Sequence, residues 1–171
     1  MSASFPFERW SNGMQYDQQI YLLSQTFISN YPLDTYPELM YKSGRPYSCL
    51  LVDTHDGYFL CIPFRSAISH NNCYHFIGTI RSQKSKSGLD YSKMVIIRDT
   101  EYIDSETPAV VDQDEYSELM KNLPRIVTDV CQYVDTYINH RKGVKMIHPR
   151  EYERKYKYST LPYFDDILLQ Q

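Results

Sequence analysis

Short apolar blocks broken by turn-forming residues fill the first part of the chain, and apolar residues at helical spacing fill the rest. Gln18 to Leu23 reads as a short strand, followed by a helical turn through Phe27 and Ile28 that Pro32 stops. Tyr36 to Lys42 reads as a short helix, with Pro37 in its first turn and Gly44 just past its end. Two apolar runs, Pro46 to Asp53 and Tyr58 to Phe64, flank His55-Asp56-Gly57, and Asp-Gly between such runs signals a hairpin. A polar, turn-like stretch from Arg65 to Asn72 leads into a strand over His75–Thr79. Ser82 to Ser87 alternates lysine with serine and glutamine, the pattern of a mobile basic loop. Lys93 to Arg98 is the next strand, and Tyr102-Ile103 adds a short one.

Beyond this point the spacing turns helical. Asp112 and Glu115 stand at the separation of a capping-box variant. Tyr116, Leu119, Met120, Leu123, Ile126, Val127, Val130, Val134, Tyr137 and Ile138 then recur every three or four residues as one buried stripe. Pro124 lies inside the stripe and is expected to kink or split the helix, which Gly143 ends. Pro149 fits the first turn of a last helix running to about Tyr158, before Pro162. Strands first and helices later give the α+β class, an antiparallel sheet with helices on one side. A chain of 171 residues suits a single domain spanning 1–171, with residues 1–14 as a loose arm.

Composition narrows the class without giving a function. At 42% hydrophobic and 23% charged the chain is not disordered, collagenous or coiled-coil, and no apolar run is long enough to span a bilayer. The start has no basic segment followed by an apolar one, and the four cysteines form no CxxC pair. Reduced thiols in a cytoplasmic protein are expected, with no membrane association.

Charge changes the picture once it is split by segment. The net charge is −3, yet residues 79–98 carry +4 and residues 141–157 carry +5, against −8 over residues 99–140. The first basic island holds Arg81, Lys84, Lys86, Lys93 and Arg98; the second holds Arg141, Lys142, Lys145, Arg150, Arg154, Lys155 and Lys157. Attraction for phosphate follows the local field and not the total charge, so the islands are candidate RNA-binding surfaces. Tyr91, Tyr152, Tyr156, Tyr158 and Tyr163 lie in or beside them and offer faces for bases, although tyrosine is equally a core-edge residue.

Candidate chemistry centres on the turn leaving the second hairpin strand. The hairpin folds Arg45, which begins the first strand, back beside Arg65 and Ser66, and Tyr41 lies four residues before Arg45. Two guanidinium groups, a hydroxyl and a phenol around one point would bind a phosphate and stabilise the extra charge of its transition state. The alternative is that both arginines are ordinary strand-end surface charges. His70 is a candidate acid or base, and with Cys73 and His75 it falls short of a four-ligand zinc set. No Walker loop, GxSxG elbow or HExxH is present, and neither metal nor cofactor is expected.

Tyr41-x-x-x-Arg45-Pro46-Tyr47, then Ile62-Pro63-Phe64-Arg65-Ser66-x-Ile68-x-His70, then Gly88-Leu89-Asp90-Tyr91-Ser92-Lys93, form an ordered set. That order resembles the endoribonuclease toxins of type III toxin–antitoxin systems, the ToxN and AbiQ group, and looks closest to the CptN and TenpN branches. The resemblance implies a strongly twisted antiparallel sheet or barrel like MazF and Kid, with packed helices. It implies metal-independent RNA cleavage by the ribose 2′-OH, leaving a 2′,3′-cyclic phosphate. It also implies a repeat-encoded pseudoknot RNA antitoxin that is product and inhibitor, held in a closed protein–RNA assembly. Ser66 matches the family's site serine and Tyr41 its tyrosine; Arg45 stands for a lysine and Arg65 for a threonine. Ile68 departs from the pattern, where ToxN has a lysine, and Arg65 is expected to supply the missing charge with His70 as proton carrier. Two other readings remain open, a non-catalytic RNA-binding module and a protein-interaction domain using the acidic 99–140 region.

Overall fold

The computed structural model describes residues 20–42 and 44–170; the arm at 1–14 and the first residues of the strand expected from Gln18 lie outside them. Seven strands form one antiparallel sheet: β1 (Ile20–Leu23), β2 (Ser48–Asp53), β3 (Phe59–Arg65), β4 (Cys73–His75), β5 (Gly88–Asp90), β6 (Val95–Ile97) and β7 (Ile103–Asp104). Their order is β4-β5-β3-β2-β1-β7, with β6 paired to β3 as well. The β2–β3 hairpin is the centre, in the register Cys49↔Pro63 to Asp53↔Phe59. His55 and Gly57 take left-handed φ values of 60° and 87° in its turn.

The other edge of β3 serves two partners. β6 pairs with Phe59–Cys61 and β5 with Phe64-Arg65. Pro63, which has no N–H to give to a ladder, occupies the interval between them. Arg65 thus ends β3 opposite Gly88 of β5, and Gly88 in turn faces His75 of β4. A Cβ at Gly88 would stand 2.0 Å from the Tyr74 carbonyl oxygen, so only glycine lets these backbones approach.

Helices α1 (Gln25–Asn30), α2 (Ile80–Lys84), α3 (Gln113–Arg141), α4 (Pro149–Tyr156) and α5 (Asp165–Leu168) complete the fold, with short 3-10 turns between. Leu119, Leu123, Ile126, Val130, Val134 and Tyr137 of α3 share one buried core with Leu50, Leu60, Ile62, Leu89 and Ile96 of the sheet. Burying each such side chain contributes about 1.5–3 kcal/mol. Among the described residues no helix is long and apolar enough to cross a membrane.

Several expectations need correction. The fourth strand is Cys73–His75 and not His75–Thr79, because the backbone N–H groups of Ile77 and Gly78 donate to the Glu118 carboxylate of α3 instead of a ladder. Ser82 to Lys84 is helix and not loop, since Thr79 and Ser82 form a reciprocal capping box that starts α2; Ser85 to Ser87 remain outside helix and strand. Tyr36 to Lys42 contains only a 3-10 turn at Pro37–Leu39, which Met40 leaves at a φ of 54°. Lys93 belongs to a 3-10 turn preceding β6. Asp112 caps nothing with its side chain, since its carboxylate turns to Arg81. Pro124 does not split α3, which runs unbroken because its buried stripe continues on both sides.

Candidate functional site

Chain reversals at both ends of the hairpin build a cleft of about 350 Å³. Tyr41, Lys42, Arg45 and Tyr47 line it from the segment entering β2, and Arg65 and Ser66 line it from the end of β3. Arg81 of α2 completes the wall. Four of the five residues expected to be catalytic therefore meet in one cavity, and His70 is absent from its lining. Antiparallel pairing of β2 with β3 is the physical reason, since it returns the start of one strand to the end of the other.

Each side chain is held differently. Arg65 is half-buried and donates through Nη1 to Asp90 Oδ2 at 3.0 Å. Asp90, only 1% exposed, also accepts at Oδ1 from the Ser92 N–H at 3.0 Å and the Ser92 hydroxyl at 2.6 Å. His70 Nε2 lies 3.4 Å from the same oxygen, while its Nδ1 accepts the Asn72 N–H at 3.2 Å. With Nδ1 accepting, the Nε2 proton points at Asp90 and Ser92. His70 thus lies behind the carboxylate that holds Arg65, outside the lining of the cleft. Ser66 is exposed and precedes Ala67, whose φ of 56° is a left-handed conformation that turns the chain sharply.

Across the cleft, Arg45 is exposed and forms no ion pair among the described residues. The Tyr41 hydroxyl donates to the carbonyls of Tyr31 at 3.0 Å and Ile28 at 3.4 Å, so its ring lines the cleft while its O–H anchors α1. Tyr47 donates to the Lys93 carbonyl, and burial raises its phenol far above the ordinary value. Both hydroxyl protons are thus given to backbone carbonyls of the fold.

Sequence reasoning missed three parts of this arrangement. Lys42 lines the cleft beside Tyr41. Asp90 caps the 3-10 turn that follows it with one oxygen and takes Arg65 with the other. Arg81, assigned to general RNA contact, lies in the cleft itself. Ile68 is 3% exposed and belongs to the interior, and the cations lining the cleft beside Arg65 are Lys42, Arg45 and Arg81.

The RNA-binding expectations divide. Lys84, Lys86, Lys142, Lys145, Arg150, Arg154 and Lys157 are exposed. Lys93 is not: at 5% exposure its ammonium is buried against the Glu38 carboxylate and the Tyr158 carbonyl, out of reach of RNA. Arg141 is bound to Asp165 at 2.7 Å and to the Tyr137 hydroxyl, and Lys155 and Lys157 lie 3.8 and 3.6 Å from Glu151 and Glu153. Tyr91 and Tyr156 are buried core residues, and Tyr152 stacks on His140 at 4.1 Å, so these rings are already occupied. Tyr158, 62% exposed, keeps a free outer surface beside Lys157. Three acids of the 99–140 run are engaged with α2 and its approach, Asp112 with Arg81, Asp114 with the Ile80 N–H and Glu118 with the N–H groups of Ile77 and Gly78.

His70, Cys73 and His75 do come together, but around the His70 carbonyl, which the Cys73 thiol and the His75 ring both approach at 3.2 Å. No group of three or more metal-ligating side chains occurs among the described residues. No protein-family model, curated protein or solved structure matches the chain.

Proposed function

We propose that the cleft is the active site of a metal-independent endoribonuclease, the toxin of a type III toxin–antitoxin pair. The observation that carries this reading is the convergence of Tyr41, Arg45, Arg65 and Ser66, from two separate segments, on one cavity that also holds Lys42 and Arg81. Such a site is suited to a phosphodiester. The ribose 2′-oxygen attacks the adjacent phosphorus, the bond to the 5′-oxygen breaks, and the 2′ proton is lost as the 5′-oxygen gains one. The products are a 2′,3′-cyclic phosphate and a 5′-hydroxyl. Arg65, fixed by Asp90, and Arg45 neutralise the non-bridging oxygens as charge builds on them, which is the main demand of this reaction. Ser66 orients the phosphate or the attacking hydroxyl. His70 acts behind Asp90 as a positioning residue.

On this reading the sheet is a relative of the twisted MazF and Kid barrels. The inhibitor is a short pseudoknot RNA cut from its own repeats by the toxin and retained in a closed protein–RNA assembly. Exposed lysines and arginines of both islands hold its backbone, and unpaired bases give shape-specific contacts. The second reading, an RNA-binding module without catalysis, is favoured by one observation: the Tyr41 hydroxyl and both His70 nitrogens are already engaged within the fold.

Incubating the purified protein with single-stranded RNA in the presence of a chelator decides between them. New 5′-hydroxyl ends support the nuclease, whereas a stable complex without new ends supports the module. Ser66→Ala and Arg65→Ala are expected to lower cleavage by about 100-fold or more, the usual effect of deleting a transition-state donor. Circular dichroism should show both variants folded, and undiminished cleavage by both would remove this site from consideration.

A further inference from the structure

Arg81 stands between two cavities. On one side it lines the cleft; on the other it lines a more open hollow of about 740 Å³ with Ile80, Lys84, Asp112 and Gln113. Whatever chain runs through the cleft past Arg81 therefore enters this hollow next. We propose that the hollow is the subsite for the nucleotide adjoining the scissile phosphate, its base resting on Ile80 and the Arg81 guanidinium; this inference rests on the cleft being the site where RNA binds.

Three features of α2 fit a base platform. Ile80 is 70% exposed, an apolar side chain at the mouth of a cationic cleft that the fold leaves uncovered. Its backbone is fixed, because the Ile80 N–H donates to Asp114 Oδ2 at 2.8 Å. Arg81 is tied by its edge: Nη2 lies 3.1 Å from Asp112 Oδ2 and Nε 3.9 Å from Glu115 Oε1. A guanidinium held at its edge by carboxylates keeps its flat faces for stacking, one of the standard ways a protein receives an unpaired base. Glu115 is 2% exposed, and its burial pushes the carboxyl above its ordinary value despite Arg81, so Asp112 is the stronger tether.

Lys84 follows one turn later on the same face of α2 and meets the next phosphate. The subsite thus combines an apolar contact, a planar cation and a backbone clamp in the order that single-stranded RNA presents base and phosphate. Stacking of this kind accepts any base, so the hollow contributes affinity and register more than sequence choice.

A six-nucleotide RNA methylated on every 2′-oxygen binds without being cut, and an abasic residue can be placed at each position in turn. Fluorescence anisotropy is expected to show one abasic position that weakens binding to the wild-type protein by about 10-fold, within the range for one lost base stack. In Ile80→Ser and in Arg81→Lys the same abasic residue should cost less than about 2-fold, since the platform no longer rewards the base. An equal penalty in wild type and both variants, or no position with a penalty, overturns the subsite. The two readings fail separately. A position-specific penalty that both variants abolish, with unmethylated RNA left intact, sinks cleavage and keeps the subsite. Cleavage of unmethylated RNA with a uniform abasic scan keeps the nuclease and sinks the subsite. No binding of any RNA sinks both.

Discussion

Asp90 receives two Ser92 donors on one oxygen and Arg65 on the other, with His70 Nε2 closing the first side. A carboxylate so enclosed is held in orientation, and it anchors the Arg65 guanidinium through Nη1. Pre-positioning of this kind matters for a reaction whose barrier is mostly charge stabilisation, because no reorganisation is left for the moment of attack. Asp90→Asn tests it with little change in shape. An amide can still accept from Ser92 through its oxygen, but its NH2 then faces the Arg65 N–H groups, donor against donor. Single-turnover cleavage is expected to fall about 100-fold while RNA affinity changes by less than about 3-fold, as suits a group that acts on the transition state. An equal fall in both would mean that Asp90 only maintains the fold around the cleft. The role of Asp90 was not legible in the sequence for a physical reason. Gly88–Asp90 is a strand of three residues, too short for any periodicity, and only its register against β3 brings Asp90 near Arg65. Arg45, Arg65, Ser66 and Tyr41 were legible because an Asp-Gly hairpin between apolar runs fixes its own geometry locally.

At the level of elements, β5 is the part on which the site depends most. It bridges β3 and β4, carries Asp90 at its end, and follows α2, which brings Arg81 to the cleft. Gly88 lets it do so, since a Cβ there would collide with the backbone of Tyr74 and not with a side chain able to swing away. Gly88→Ala is expected to cost about 1–3 kcal/mol by forced overpacking. Chemical denaturation measures that loss, and hydrogen exchange locates it. The Phe76 N–H, which donates to the Ser87 carbonyl beside the pair, should lose protection while the Cys49–Asp53 ladder keeps its own. Uniform loss across the sheet would show β5 to be only one strand among equals. The segments around β5 are also where sequence reading went astray, and for one cause. Ile77, Gly78 and Ile80 give their backbone N–H groups to acids of α3, more than thirty residues away, and no local pattern encodes partners at that distance.

Across the whole molecule, charge is partly paired within the basic islands: Arg81, Lys93, Arg141, Lys155 and Lys157 all lie against carboxylates. Asp112, Asp114 and Glu118 of the acidic run are turned to α2 and its approach, beside the first island. The second island is joined to the site by structure as well as by charge. The Asn72 side chain donates to the Lys155 carbonyl at 3.3 Å, linking the turn after Ser66 to the C-terminal end of α4. Arg150 and Arg154 are exposed on α4 and take no acidic partner among the described residues, whereas Lys155 and Lys157 do. The two arginines are therefore the strongest candidates for phosphate contacts outside the cleft. Each contact to a single strand contributes about 0.7 to the slope of log affinity against log salt, so Arg150→Ala with Arg154→Ala should flatten the slope by about 1.4. The same double variant should cut a dinucleotide at the wild-type rate, because a substrate that short occupies the cleft and leaves α4 untouched. A salt slope left intact would place the RNA path elsewhere on the surface, and a slowed dinucleotide would mean that α4 supports the cleft itself through Asn72.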